Sequence, residues 1–284
     1  EQGIINVSNN LTIAQNNITL FAGDAIAITA PGNYGLGIYQ HEIHADNITI
    51  APNTIIATAG DDLSIGGDVY IDQSAITASS GDITLGSNTM SLNAGGGVTA
   101  ADAWIEQSYL SAGEDLNIGQ NTIAITAAGN IALTNGSDAY IEAGLGIYQG
   151  NLNGDNITLG ANQINLSAGG GISAAGEVLI VQEQVVADGA LSLSNNTINL
   201  TAADGNVVLN HQLLFQQDNL TAADTLTLGE NTANLSAAGD LKALYVDVIQ
   251  ETLSANNDLQ IGANTLNLAA TNDISIGASA YIYQ

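Results

Sequence analysis

The sequence predicts an all-β fold: a parallel β-helix, or β-solenoid, built from eight repeats of about 35 residues. Three observations predict it. Two amide columns recur once per repeat, apolar and polar residues alternate with a period of two, and no stretch shows a helical period.

The first column is Asn: Asn16, Asn53, Asn88, Asn121, Asn162, Asn196, Asn231 and Asn264, spaced 33 to 41 residues apart. The second is Gln: Gln40, Gln73, Gln107, Gln149, Gln182, Gln216, Gln250 and Gln284. Two positions before each Gln stands an aliphatic residue: Ile38, Ile71, Ile105, Ile147, Ile180, Leu214, Val248 and Ile282. Stacked amides satisfy one another along an axis, so both columns are read as inward ladders.

Within a repeat, segments such as DNITLG (155–160) and QINLSA (163–168) alternate and are bounded by Gly, Asn and Asp. They read as short half-buried strands joined by polar turns, five or six per repeat. A weaker similarity at an offset of 15 relates 258–269 to 273–284 and 47–58 to 62–73. It suggests two coils per repeat, because a single 35-residue coil must be flattened to avoid a hollow centre. Against this, the amide columns occur once per repeat. Sixteen coils make a rod of roughly 75 Å and eight coils half of that, at ~4.8 Å per coil. Two repeats are long, 16–40 and 121–149, and read as loops bulging from one side.

The 284 residues form one array, 1–284, without caps. The chain opens Glu1-Gln2-Gly3, which reads as a processed chain or a segment of a longer one. Glu1, Gln2, Ile4 and Ile5 supply the strand and turn that Tyr281, Ile282, Tyr283 and Gln284 lack, so these eight residues are the expected subunit junction. The expected partner is another copy, stacked head to tail.

The motif DxLxLGxNTxxLxAxGxI, as at 224–239, resembles the degenerate repeats of filamentous-haemagglutinin-like adhesins of two-partner secretion. That resemblance spans essentially the whole chain. It implies a right-handed β-helix exported to a bacterial surface, working as a shaft and not through an activity.

Composition narrows the function. Twenty-eight acidic residues face one cation, Lys242, for a net charge of −27. Such a surface cannot neutralise phosphates, which argues against nucleic acid and anionic membranes. No apolar run approaches a membrane span. Without Cys, stability rests on packing and ladders. A lyase acting on acidic sugars needs basic residues, and Lys242 alone is a poor basis for one. Asp61-Asp62 and Glu114-Asp115 sit at recurrent turns and read as solvated corners, not a glycosidase pair. No catalytic residue, cofactor or metal is expected.

His41, His44 and Glu42 share one short segment, read as a loop, without the further ligands a structural metal needs, and His211 stands apart. Asp68, Asp102 and Glu177 occupy one corner, but His211, Tyr245 and Ser279 fill it elsewhere, which argues against a continuous calcium ladder. Thr holds no column through all repeats, against an ice-binding face. Eleven N-x-S/T sequons (Asn6, Asn10, Asn17, Asn47, Asn135, Asn156, Asn165, Asn195, Asn199, Asn219 and Asn234) suit a glycosylated surface, although alternating Asn and Thr create them for free.

Alternation puts Tyr39, Tyr70, Trp104, Tyr148, Phe215, Tyr281 and Tyr283 outward, with Leu179, Val181 and Leu213 in the same stripe. This apolar stripe is the expected contact surface for lateral filaments or sugar rings. The reading is therefore a structural subunit or shaft of an extracellular filament or adhesin at the cell surface. A carbohydrate-binding surface module is the alternative, and a polysaccharide-degrading β-helix enzyme stands behind it.

Overall fold

The computed structural model describes residues 4–29, 34–134 and 143–284, so the bulging loops expected in the two long repeats lie outside the described residues. The chain is a parallel β-solenoid with no helix among them. Strands stack in three sheets, of 14, 8 and 8 strands, and every pairing is parallel.

One turn shows why. Residues Asn47–Ile50 and Leu63–Ile65 are short strands, whereas Asn53–Ala59 and Asp68–Ala78 are long ones. Alternation in Asn53–Ala59 puts Asn53, Ile55, Ala57 and Ala59 inside and Thr54, Ile56 and Thr58 outside. Gly60 closes the corner after this strand. A Cβ there would strike the Gly23 carbonyl of the turn below, so the corner admits only glycine without a shift of backbone.

Register settles the coil number. Asn53 pairs with Asn88, Asn88 with Asn121, and Asn121 with Asn162. Each 35-residue repeat is therefore one turn, not two, and eight turns rise ~38 Å at ~4.8 Å each. The first five turns hold four strands and the last three hold three, not five or six, because the last strand of each turn runs through a corner without breaking. At that corner Glu42, Ala75, Tyr109, Asn151, Gln184, Asn219 and Thr252 all take positive φ, between 52° and 55°.

The hollow-centre problem is solved by a waist. Residues from Asn88 to Gln107 enclose one core, with Met90, Leu92, Val98 and Ile105. Residues from Gln107 to Asn121 enclose a second, separate core, with Leu110, Leu116 and Ile118. The offset-15 similarity in the sequence marks these two lobes of a single turn. Each lobe is narrow enough for Ile and Leu to fill.

The positive-φ column yields a prediction. Six of its residues are unbranched at Cβ, but Thr252 is branched and exposed, with φ of 53°. Left-handed backbone costs a branched residue on the order of 1 kcal/mol more than Asn, which already serves at Asn151 and Asn219. Thr252→Asn is expected to stabilise the last turns by about that amount. A urea midpoint that stays put or falls would show that the column carries no strain.

Candidate functional site

At the waist the amides form a double ladder. Asn121 Nδ2 donates to Gln107 Oε1 at 2.8 Å within its lobe and to Asn162 Oδ1 at 3.0 Å in the next turn. Its own Oδ1 accepts from Asn88 Nδ2 at 3.0 Å. Gln107 Nε2 donates the other way, to Gln73 Oε1 of the preceding turn at 2.9 Å. The two ladders thus run in opposite directions, so their side-chain dipoles cancel. The pattern persists from Asn16 to Asn264 and from Gln40 to Gln284. Between Gln40 and Gln250 each member is at most 1% exposed.

One predicted member is misplaced. Gln182 pairs with Gln217, and Gln217 Nε2 donates to Gln182 Oε1 at 2.9 Å. Gln216 instead faces out, beside Val181 and Ile249. The aliphatic column shifts with it, so Phe215, not Leu214, packs inward at 1% exposure. The cause is a register irregularity between Leu209 and Gln212, which adds a residue before the corner.

The aromatic stripe also needs correction. Trp104 is 5% exposed and packs with Leu179, Val181 and Leu214, flanked by Tyr70 and Tyr148. Its ring lies over Gly146 of the next turn, where any Cβ would collide with it. Leu213 points inward, and Tyr39 is half-buried against Tyr70 and His41. Only Tyr281 and Tyr283 stand free, at 43% and 53%. The continuous exposed stripe does not exist, because large side chains alternate with glycine and fold over it.

The same outer face holds a polar network that the sequence reading missed. His41, Glu42 and His44 belong to the strand Tyr34–Ala45, not to a loop. His41 Nε2 lies 2.7 Å from Asp72 Oδ2, and His41 Nδ1 lies 2.8 Å from Ser74 Oγ. In the next turn, Glu106 accepts from Tyr70 and Ser108, both at 2.6 Å. Glu183 accepts from Tyr148 at 3.1 Å. Burial, with Glu106 nearby, pushes the Asp72 carboxyl up to about 7 against a smaller lowering by Ser74. Burial and adjacent carboxylates also push the Tyr70 and Tyr148 phenols up. Ser74, His41 and Asp72 form a hydrogen-bonded file, but sheet pairing on both sides engages the backbone around Ser74. An oxyanion would need backbone donors that are not already spent in this way.

No family model matches the chain, and no curated protein or solved structure does.

No group of three His, Cys, Asp or Glu suited to a metal occurs among the described residues. The corner column pairs Tyr245 with Gln212, not His211. Asp61, Asp62 and Glu114 are exposed and Asp115 is half-buried, and Lys242 reaches Asp240 at 3.1 Å on the surface. Asp62 Oδ1 accepts from the Gly97 backbone at 2.6 Å, capping a turn. Sequons Asn165, Asn199 and Asn234 are bonded amide to amide along the axis, while Asn135 lies outside the described residues. At the expected junction Glu1 and Gln2 also lie outside them, and Ile4 is 70% exposed.

Proposed function

We propose that the chain is a shaft segment of an extracellular filament or adhesin, as its resemblance to filamentous-haemagglutinin-like repeats implies. In this reading copies stack head to tail, and the chain works by shape and stiffness and not by turnover.

The observation that carries the reading is translational sameness along the axis. From Asn16 to Asn264 the Asn column pairs turn on turn in register. Each Gln Nε2 donates to the Gln Oε1 of the turn before it, as Gln250 does to Gln217 and Gln284 to Gln250. Strand ladders and a core that repeat in this way accept a further turn of the same kind, which a second copy supplies.

Electron microscopy across a concentration series tests this. Rods whose lengths are multiples of ~38 Å, with a ~4.8 Å repeat along the axis, are the expected result. Single short rods at every concentration would overturn it.

A further inference from the structure

We propose that the outer face of the sheet formed by strands such as Asn53–Ala59 is a lateral docking surface for a second copy of this chain. Solenoids would then pair side by side through it. The inference is independent of end-to-end stacking.

The face has three outward positions in each of eight strands, and none of them is charged, although the chain carries a net charge of −27. One outward column reads Thr54, Thr89, Thr122, Thr197, Thr232 and Thr265, interrupted only by Asn17 and Gln163. In the middle column Asn199 Nδ2 donates to Asn165 Oδ1, and Asn234 Nδ2 to Asn199 Oδ1, both at 2.8 Å. The long-strand face is different. Glu106, Glu183, Asp218 and Glu251 all point outward there, so two such faces repel each other.

Charge, area and phase select a second copy. The first is charge: on so acidic a molecule, this is the broad face on which two copies approach without setting carboxylate against carboxylate. The second is area. Seven residues at ~3.3 Å by eight turns at ~4.8 Å is roughly 890 Å², about what each partner of a stable complex buries. The third is phase. Hydroxyls and amides repeat at ~4.8 Å along the axis, and a second solenoid has the same repeat. A polymer whose repeat is a few tenths of an ångström longer slips about half a rung over eight turns. Apart from Phe21 and Ile56 in the first two turns and Gln163 in the fifth, the outward side chains are Thr, Ser, Asn and Ala, small enough for two such faces to interlock as in a polar zipper.

Sedimentation and electron microscopy of the intact chain at low and high salt test the proposal. Salt screens the repulsion between the acidic molecules, so pairs of twice 28.8 kDa and doubled width are expected to accumulate as it rises. Thr126→Glu with Thr201→Glu puts charge on the face and is expected to weaken pairing at least about tenfold. Thr77→Glu with Thr221→Glu adds the same charge elsewhere and is expected to leave pairing intact. Equal effects of the two double variants, or none from the first, would overturn it. So would unpaired rods that retain ice or a neutral polysaccharide on this face. Width reports lateral pairing and length reports axial stacking, so the two readings fail separately.

Discussion

Asn121→Leu is expected to destabilise the middle of the solenoid by roughly 3–6 kcal/mol. Asn121 gives both amide hydrogens, to Gln107 and Asn162, and accepts one from Asn88. Its removal strips one partner from each of three amides that are fully buried. An unsatisfied buried polar group costs about 1–3 kcal/mol, and the apolar Leu at the waist cannot replace any of the three bonds. The loss is local, because each turn contacts only its neighbours. Hydrogen exchange is therefore the direct readout. Amides in Asn88–Ala94 and Asn162–Ala168 are expected to lose protection, while Asn231–Ala237 keeps it. Thr122→Ala, one residue along and facing out, is the control. A cost for Asn121→Leu no larger than the control's would mean that the ladders do not hold the waist.

Those ladders were legible in the sequence because an amide that must meet its own kind every turn tolerates no other residue. Their once-per-repeat spacing already pointed to one turn per repeat. The offset-15 similarity pointed to two coils because it repeats the same local motif, a short strand followed by a long one. Two lobes on one turn and two stacked turns produce the same local pattern. They differ only in which residues hydrogen-bond across strands, and a period-two pattern does not contain that.

Parity failed where alternation failed. Leu213-Leu214-Phe215 is an unbroken apolar run ending in Gln216-Gln217, so either Gln fits the column until the register shift after Leu209 is known. Trp104 was misread for a different reason. Alternation gives the side of the sheet, not what lies on it, and the space over Gly146 is a property of the neighbouring turn. That signal was present in the sequence. Aligning the repeats sets Gly37, Tyr70, Trp104 and Gly146 in one column, large beside small. The same alignment brings His41 beside Ser74, and Tyr39 beside Asp72. Side-chain networks between turns become visible only when columns, not motifs, are compared.

The melting temperature is expected to fall as pH rises from about 4 to about 7, and Asp72→Asn to remove part of that fall. In the folded chain Asp72 binds its proton up to about 7, against 3.8 for a free carboxyl, because burial disfavours the charge. Between those values the folded state holds more protons than the unfolded one, so stability declines with pH. The contribution is fully present below 3.8 and is lost as pH passes about 7. At 1.36 kcal/mol per pH unit the decline reaches at most about 4 kcal/mol. The other carboxylates of a chain at −27 repel one another more as they ionise, which gives a trend of the same sign. The measurement is therefore the difference between the two pH profiles, not either profile alone. Asn keeps the size of Asp72 and a hydrogen bond to His41 but cannot ionise, so its profile should be flatter on the neutral side. Parallel profiles from pH 4 to 8 would show that Asp72 is charged in the folded chain across that range.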